Sequence, residues 1–241
     1  MEEKDSKSLD ILGIKPIGDS VNTIVKGTVE GAAAFLSRIC LPAAEEFGLL
    51  LKDKVSAWRA QNLIKVTEKA ERKLRDSPNP EKRHTHPRIL SLTIENSSWV
   101  DSDEVQEMWA GLLASSCTEE GKDESNLIFI NLLSQLTTSE VKIVNYCCEH
   151  AEKYTGVAGW IGAKSFPASI DELQNITGIT DVHRLDRELD HLRSLELLDI
   201  NSGFVAHSTD ANLSPSTLAL NLYVRCQGSL QSPPDFFRFK S

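Results

Sequence analysis

Residues 169–200, SIDELQNITGITDVHRLDRELDHLRSLELLDI, predict two helices joined by a glycine turn. Ser169 and Glu172 have the spacing of a capping box, which marks the start of the first helix. Gly178 permits the turn that follows, because glycine tolerates a positive φ. Four apolar residues at helical spacing mark the second, longer helix: Val182, Leu185, Leu189 and Leu192.

The residues after these helices predict a small antiparallel sheet. Two apolar runs, 197–200 and 204–206, flank the turn NSG and predict a hairpin. Residues 217–225 alternate apolar residues with others, which predicts a half-buried strand. Helices followed by a small antiparallel sheet are the order of a winged-helix domain. We therefore expect a winged-helix-like α+β segment over residues 156–241.

The second helix of this segment has an unfavourable charge for reading DNA. Three arginines stand against five acidic residues, a net charge of −2: Arg184, Arg187 and Arg193 against Asp181, Asp186, Glu188, Asp190 and Glu196. Contacts to phosphates need the opposite sign. Winged helices also serve dimerisation and protein docking, and we expect that use here.

The residues before this segment predict a mainly α fold. Apolar residues share one broad face over residues 20–39, and a second long helix fits from Pro42 to about Arg75, where SPNP ends it. Residues 77–88 form a polar connector rich in proline. Capping signals at Asp101 and Thr137, and an apolar run at 126–135, predict a bundle of four or more helices over 100–154. The expected domains are 1–41, 42–88, 89–155 and 156–241.

Composition excludes several classes of protein. The chain has 241 residues, 40% of them hydrophobic and 25% charged, with a net charge of −9 and five scattered cysteines. These values are typical of a soluble, cytosolic, mostly helical protein with reduced thiols. The acidic N-terminus predicts no signal peptide, and no apolar stretch is as long as a conventional membrane span.

The sequence also lacks a catalytic signature. It contains no phosphate-binding glycine loop, no C-x-x-C, no H-E-x-x-H and no G-x-S-x-G. The neighbouring Cys147 and Cys148 lie in a helix predicted to be buried, which favours core packing over redox chemistry. We therefore expect no enzyme, no cofactor and no metal site.

Charge is segregated into two neighbouring blocks. Residues 52–88 hold eleven Lys and Arg against five acidic residues, a net of +6, whereas residues 91–124 have a net of −8. The blocks either attract each other or serve different partners. The basic block is a candidate site for a nucleotide or single-stranded nucleic acid, and a solvated helix face is the alternative. Its candidate residues are Lys52, Lys54, Arg59, Lys65, Arg72, Lys73, Arg75, Lys82, Arg83 and Arg88.

The amphipathic segment 20–39 has a wide apolar arc and a narrow polar stripe. Several copies side by side could present the arc to lipid and the stripe to a water-filled pore, with Gly27 and Gly31 allowing close approach. The candidate pore-lining residues are Asp19, Lys26, Glu30 and Ser37, and the candidate membrane-facing residues are Val21, Val25, Phe35 and Leu36. The alternative is an ordinary surface helix of a soluble domain.

Three runs of sequence resemble one family. They are PAAEEFGLLLKDKVSAWRAQNL (42–63), SDEVQEMWAGLLASS (102–116) and FINLLSQLTTSEVKIVNY (129–146), and the likeness extends over about 11–154, leaving the winged-helix-like tail outside. They resemble the abortive-infection alpha family of bacterial anti-phage proteins. Its signature residues here are Trp58, Arg59, Asn62, Trp109 and Leu112, and none is catalytic. The resemblance implies growth arrest of infected cells, in some relatives through a membrane effector paired with a nucleotidyltransferase.

These observations give two hypotheses. The first is an oligomeric (tetrameric, as a guess) channel or permeabilising effector in the bacterial inner membrane, with a large cytoplasmic part, gated by a nucleotidyltransferase-derived nucleotide or single-stranded oligonucleotide. The alternative is a soluble helical adaptor or regulator, in which a winged-helix domain docks protein or nucleic acid.

Overall fold

The computed structural model describes residues 23–40, 54–75, 77–204 and 208–237. The chain folds as two compact units that meet between Ile130 and Asn131. The described residues are mainly helical, which confirms the predicted fold class. The helices up to this boundary are α1 (Thr23–Ile39), α2 (Lys54–Arg75), α3 (Pro87–Ser97) and α4 (Asp103–Ser115), with a 3₁₀ turn at Pro80–Lys82; α5 (Leu127–Leu133) spans it.

The core of the first unit lies between α2 and α4, which pack along each other, with α1 against α2 and α3 against both. Trp109 and Leu112 of α4 are fully buried there. Helix α2 ends at Arg75, as the SPNP run predicts. Its predicted start at Pro42 lies outside the described residues.

The first unit also contains a helix that the sequence did not predict. Helix α3 begins at Pro87, so Pro87 and Arg88, the last two residues of the predicted connector, belong to it. His86 caps the helix by accepting a hydrogen bond from the Arg88 N–H. The N-cap of α4 is Ser102 rather than Asp101. Three helices, α4 to α6, lie in residues 100–154 instead of four or more, because residues 116–126 form a loop that bridges back to His84 at Thr118.

Within its described residues, the second unit combines five helices with two small sheets. They are α6 (Thr138–His150), β1 (Lys153–Thr155), β2 (Ile161–Ala163), β3 (Pro167–Ser169), α7 (Ile170–Thr177), α8 (Val182–Ser194), β4 (Gly203–Phe204), β5 (Asp210–Asn212), α9 (Thr217–Cys226) and α10 (Pro233–Phe236). Strands β1 and β2 form an antiparallel hairpin, and the second sheet is antiparallel in the order β3–β5–β4.

Capping explains where these helices begin and end. The predicted capping boxes are both present: Thr137 with Glu140 starts α6, and Ser169 with Glu172 starts α7. Gly178 ends α7 with a φ of 75°, as expected for a glycine turn.

Two sequence predictions in this unit were wrong. Residues 217–225 belong to helix α9, which Ser216 caps, and not to a strand. The alternation of leucines was misleading because the helix is buried on almost every side, so apolar residues do not mark one face. Residues 197–200, predicted as the first strand of a hairpin, do not form a strand. The Leu197 and Leu198 amides donate hydrogen bonds to the Leu192 carbonyl at the end of α8. Strand β4 pairs with β5 instead.

Candidate functional site

The basic and acidic blocks of the first unit pair with each other where α2 packs on α4. Lys69 is buried, with its Nζ 2.5 Å from an Asp103 carboxylate oxygen and 3.3 Å from Glu107. Lys73 Nζ lies 3.2 Å from the other Glu107 oxygen. The Lys69 ammonium holds the pKa of Asp103 below its ordinary value, first by its hydrogen bond and then by its charge. Of the two alternatives for the blocks, mutual attraction is the one that the structure shows.

A second cluster joins α2 to the end of α3. The Arg59 guanidinium lies 4.2 Å from the centre of the Trp99 ring and 2.7 Å from a Glu95 carboxylate oxygen. Hydrogen bonds from Trp99 Nε1 and from Arg59 lower the pKa of Glu95. Asn62 donates to the Ser98 carbonyl. These family-signature positions of α2 therefore hold the fold together.

Few members of the basic block keep a free charge. Arg83 donates to the carbonyls of Pro78 and Cys117, Arg75 pairs with Glu71, and Arg88 pairs with Glu124. Within the described side chains, Lys65, Arg72 and Lys82 are exposed and make no ion pair. Lys52 and the side chain of Lys54 lie outside that part. Of the candidate residues whose side chains are described, these three are therefore the exposed cations open to a ligand.

Helix α1 presents its apolar arc to protein. Phe35 is 4% exposed and Leu36 is fully buried, so two of the four predicted membrane-facing side chains pack in the core of the first unit here. Glu30 is exposed and Ser37 donates to the Ala33 carbonyl. Asp19 and Val21 lie outside the described residues, as do the side chains of Lys26 and Val25. Where helices are described, none has the length and apolar character that crossing a membrane requires.

Cys147, Cys148 and His191 have side chains that could do chemistry, but each is buried or paired within the fold. Cys147 and Cys148 are fully buried, and burial raises the pKa of the Cys148 thiol. His191 Nδ1 lies 2.6 Å from the buried carboxylate of Glu140. Throughout the described ranges, no three His, Cys, Asp or Glu side chains gather as ligands of one metal ion.

Helix α8 carries two of its three acidic residues on the surface, and the third, Glu188, is buried. Asp186 and Asp190 are exposed one turn apart, in line with the exposed Val182. Two of the three arginines are engaged: Arg184 Nε lies 3.4 Å from Glu188, and Arg193 bonds Asp190 and the Ser202 carbonyl.

The second unit also contains a cleft that the sequence did not predict. It has a volume of about 490 Å³ and lies between the β1–β2 hairpin, the loop after α8 and the start of α9. Tyr154 and Trp160 contribute half-exposed rings to it, 5.6 Å apart and close to perpendicular. Asp199 is the only charged residue among the described residues that line it. Amides and hydroxyls complete the lining: Asn201, Asn212, Ser165, Ser214, Ser216 and Thr217.

Two glycines allow the rings of this cleft to pack directly on the backbone. A side chain at Gly156 would meet the Trp160 ring at 2.4 Å, and one at Gly162 would meet the Tyr154 ring at 2.7 Å and Trp160 at 2.8 Å. Both rings therefore lie directly on backbone that only glycine leaves uncovered. The run YTGVAGWIG (154–162), with aromatic residues beside glycines, is the sequence signal that could have revealed this arrangement.

The described residues thus form two mainly helical units, with paired charges in the first and a cleft lined by two aromatic rings and one carboxylate in the second. A model of the abortive infection alpha family matches residues 59–220, and the chain belongs to that family. Membership implies a role in abortive infection, the anti-phage response. The match extends to residue 220 and so includes most of the winged-helix-like segment 156–241, which the resemblance had left outside, and it excludes α1. Neither the curated proteins nor the solved structures gave a match.

Proposed function

We propose that this abortive-infection protein acts without catalysis, as an interaction protein whose second unit docks a partner protein. The elements α6, β3, α7, α8, β4 and β5 follow the order of a winged helix, with the strand order β3–β5–β4. Modules of this shape dock proteins as well as DNA, so the surface chemistry decides between these uses.

The observation that carries the proposal is the exposed face of α8. DNA recognition places unpaired cations against phosphates. Here one exposed stripe consists of Val182, Asp186 and Asp190. Arg184 and Arg193 are paired, with Glu188 and Asp190, so Arg187 is the one arginine described on α8 that makes no ion pair. An apolar residue with two carboxylates in line complements a partner surface that is basic around an apolar patch.

The test is a phage challenge with a variant of this stripe. Val182→Ser combined with Asp186→Lys removes the apolar contact and reverses one charge, while neither side chain has a hydrogen-bond partner among the described residues. We expect protection, measured as plating efficiency, to fall at least about tenfold, the effect of losing roughly 1.4 kcal/mol of binding. Asp210→Lys reverses an exposed charge on β5 and serves as the matched control. Equal protection by both variants would reject docking through α8.

The membrane hypothesis is the second candidate, and the composition of α1 favours it. Its 17 residues include three charged side chains, Lys26, Glu30 and Arg38, and otherwise a broad apolar face. In this proposal α1 leaves the first unit and inserts into the bacterial inner membrane in a homo-oligomer, with a nucleotide or single-stranded oligonucleotide on Lys65 and Arg72 as the gating ligand. Release is required because the arc is covered by protein. At ~1.5 Å per residue the helix is also shorter than the ~30 Å hydrocarbon core.

Gly31→Leu distinguishes this candidate from the first. No atom of the described residues lies within 4 Å of a Cβ added at Gly31, so they leave room there for leucine. In a membrane oligomer the same leucine would separate neighbouring helices. Leakage of dye from anionic lipid vesicles by the wild-type chain, reduced about tenfold by Gly31→Leu, would support the membrane effector. The absence of leakage by the wild-type chain would reject it.

A further inference from the structure

We propose that the cleft between the β1–β2 hairpin and α9 binds an arginine side chain of the partner protein. The proposal rests on the docking function proposed above and names the chemistry that the second unit recognises. Trp160 and Tyr154 would form the stacking surface for the guanidinium group, and Asp199 the acceptor for its N–H groups.

The charges of the cleft select a cation. Aromatic faces attract cations, and a guanidinium group also stacks flat on tryptophan. Asp199 Oδ1 accepts hydrogen bonds from the backbone and side-chain N–H groups of Asn201, at 2.9 and 3.1 Å. Among the described residues no donor reaches Oδ2, which leaves an oriented oxygen for a ligand. The described lining contains no Lys or Arg to bind a phosphate.

The net charge of the second unit is negative, like the charge of Asp199. Residues 131–241 contain thirteen Asp and Glu against nine Lys and Arg, a net charge of −4. Such a field attracts a basic segment and repels a nucleic acid. Charge therefore favours a basic protein segment over an oligonucleotide as the occupant.

The cleft is organised before any ligand arrives. The two rings pack directly on the backbone at Gly156 and Gly162, as described above. Asn212 Oδ1 accepts hydrogen bonds from the Phe166 backbone and from Ser214, at 3.1 and 2.7 Å, so this wall is held as well. A rigid site loses less entropy on binding. The volume of about 490 Å³ has room for one arginine side chain and some adjoining backbone.

The experiment titrates the full chain with the peptide Ac-Gly-Gly-Arg-Gly-Gly-NH₂ and with its glutamine counterpart, by isothermal calorimetry or NMR. We expect the arginine peptide to bind at least about tenfold more tightly, because the glutamine peptide lacks the cation. Asp199→Asn should reduce this preference, because only the two aromatic rings then favour the cation, while it keeps the Oδ1 acceptor for Asn201. Asp210→Asn, an exposed acid outside the cleft, should leave the preference unchanged.

A second variant tests the aromatic platform without changing any charge or ring. Gly162→Ala places a methyl group against both rings, and we expect it to weaken binding of the arginine peptide about fivefold or more. Melting curves check that each variant is folded.

Three results would overturn the proposal. The first is equal binding of the two peptides, and the second is an arginine preference that Asp199→Asn leaves undiminished. The third is tighter, Trp160-dependent binding of a neutral trisaccharide or a single-stranded oligonucleotide. If the α8 variant loses phage protection while any of these results holds, docking stands and the arginine site fails. If the arginine preference holds while the α8 variant protects fully, docking through α8 fails alone.

Discussion

The two units use charged side chains in opposite ways. In the first unit the residues of a strongly basic block pair with an acidic block across α2 and α4, and Lys69 is buried in the process. In the second unit Asp186 and Asp199 are exposed and make no ion pair with a described residue, whereas Asp190 pairs with Arg193. The more charged stretch of sequence therefore contributes to folding, and we propose that the less charged one presents a recognition surface.

The largest effect is expected in the core of the first unit. Leu36→Asp buries a charge at a fully buried position, which should cost more than about 4 kcal/mol of the free energy of unfolding and prevent this unit from folding. Ala34→Asp, exposed on the same helix, is the control and should change it by less than about 0.5 kcal/mol. Thermal unfolding followed by circular dichroism measures both. A fully folded Leu36→Asp protein would show that α1 does not belong to the core.

A smaller effect is expected where the two charged blocks meet. Lys69→Glu places a third carboxylate beside Asp103 and Glu107 and should lower the free energy of unfolding by about 2–3 kcal/mol, less than for a fully buried pair because Asp103 is exposed. Lys65→Glu reverses an exposed charge on the same helix and should cost no more than about 0.5 kcal/mol. Urea titrations compare the two. Equal costs would mean that the paired blocks do not stabilise the fold.

The smallest effect concerns acid stability. Because the pKa of Glu95 is lowered in the folded protein, its contribution is present above the ordinary value of 4.5 and is lost as the pH falls through the lower folded value. Between about pH 5 and about pH 3, Glu95→Gln should therefore lose less stability than the wild type, by no more than about 1 kcal/mol, since solvent screens the exposed carboxylate. Glu119→Gln, an exposed acid, controls for the lost charge. Identical pH profiles would contradict this contribution of Glu95.

Local signals in the sequence predicted much of the fold. The capping boxes at Thr137 and Ser169, the Gly178 turn and the end of α2 are all present, because each depends on a few neighbouring residues. Helix α9 was mistaken for a strand because a helix buried on most sides has no apolar period to read. The arc of α1 was visible in the sequence, but whether protein or lipid covers it depends on tertiary packing.

The recognition surface was harder to predict. The cleft joins Tyr154, Asp199 and Asn212, which are distant in sequence and share no motif. Asp199 reads as part of an apolar run, and only the closing of α8 places it in the loop that lines the cleft. The composition of the basic block is visible in the sequence. The pairing of its residues with acids on α3 and α4 depends on tertiary packing, which the sequence does not show.

We propose that the surface of the second unit, and not the basic block, carries the function. One phage challenge tests this with two double variants that reverse exposed charges: Lys65→Glu with Arg72→Glu on α2, and Val182→Ser with Asp186→Lys on α8. We expect plating efficiency unchanged from the wild-type protein for the α2 variant, and protection reduced at least about tenfold for the α8 variant. Loss of protection in the α2 variant together with full protection by the α8 variant would contradict it.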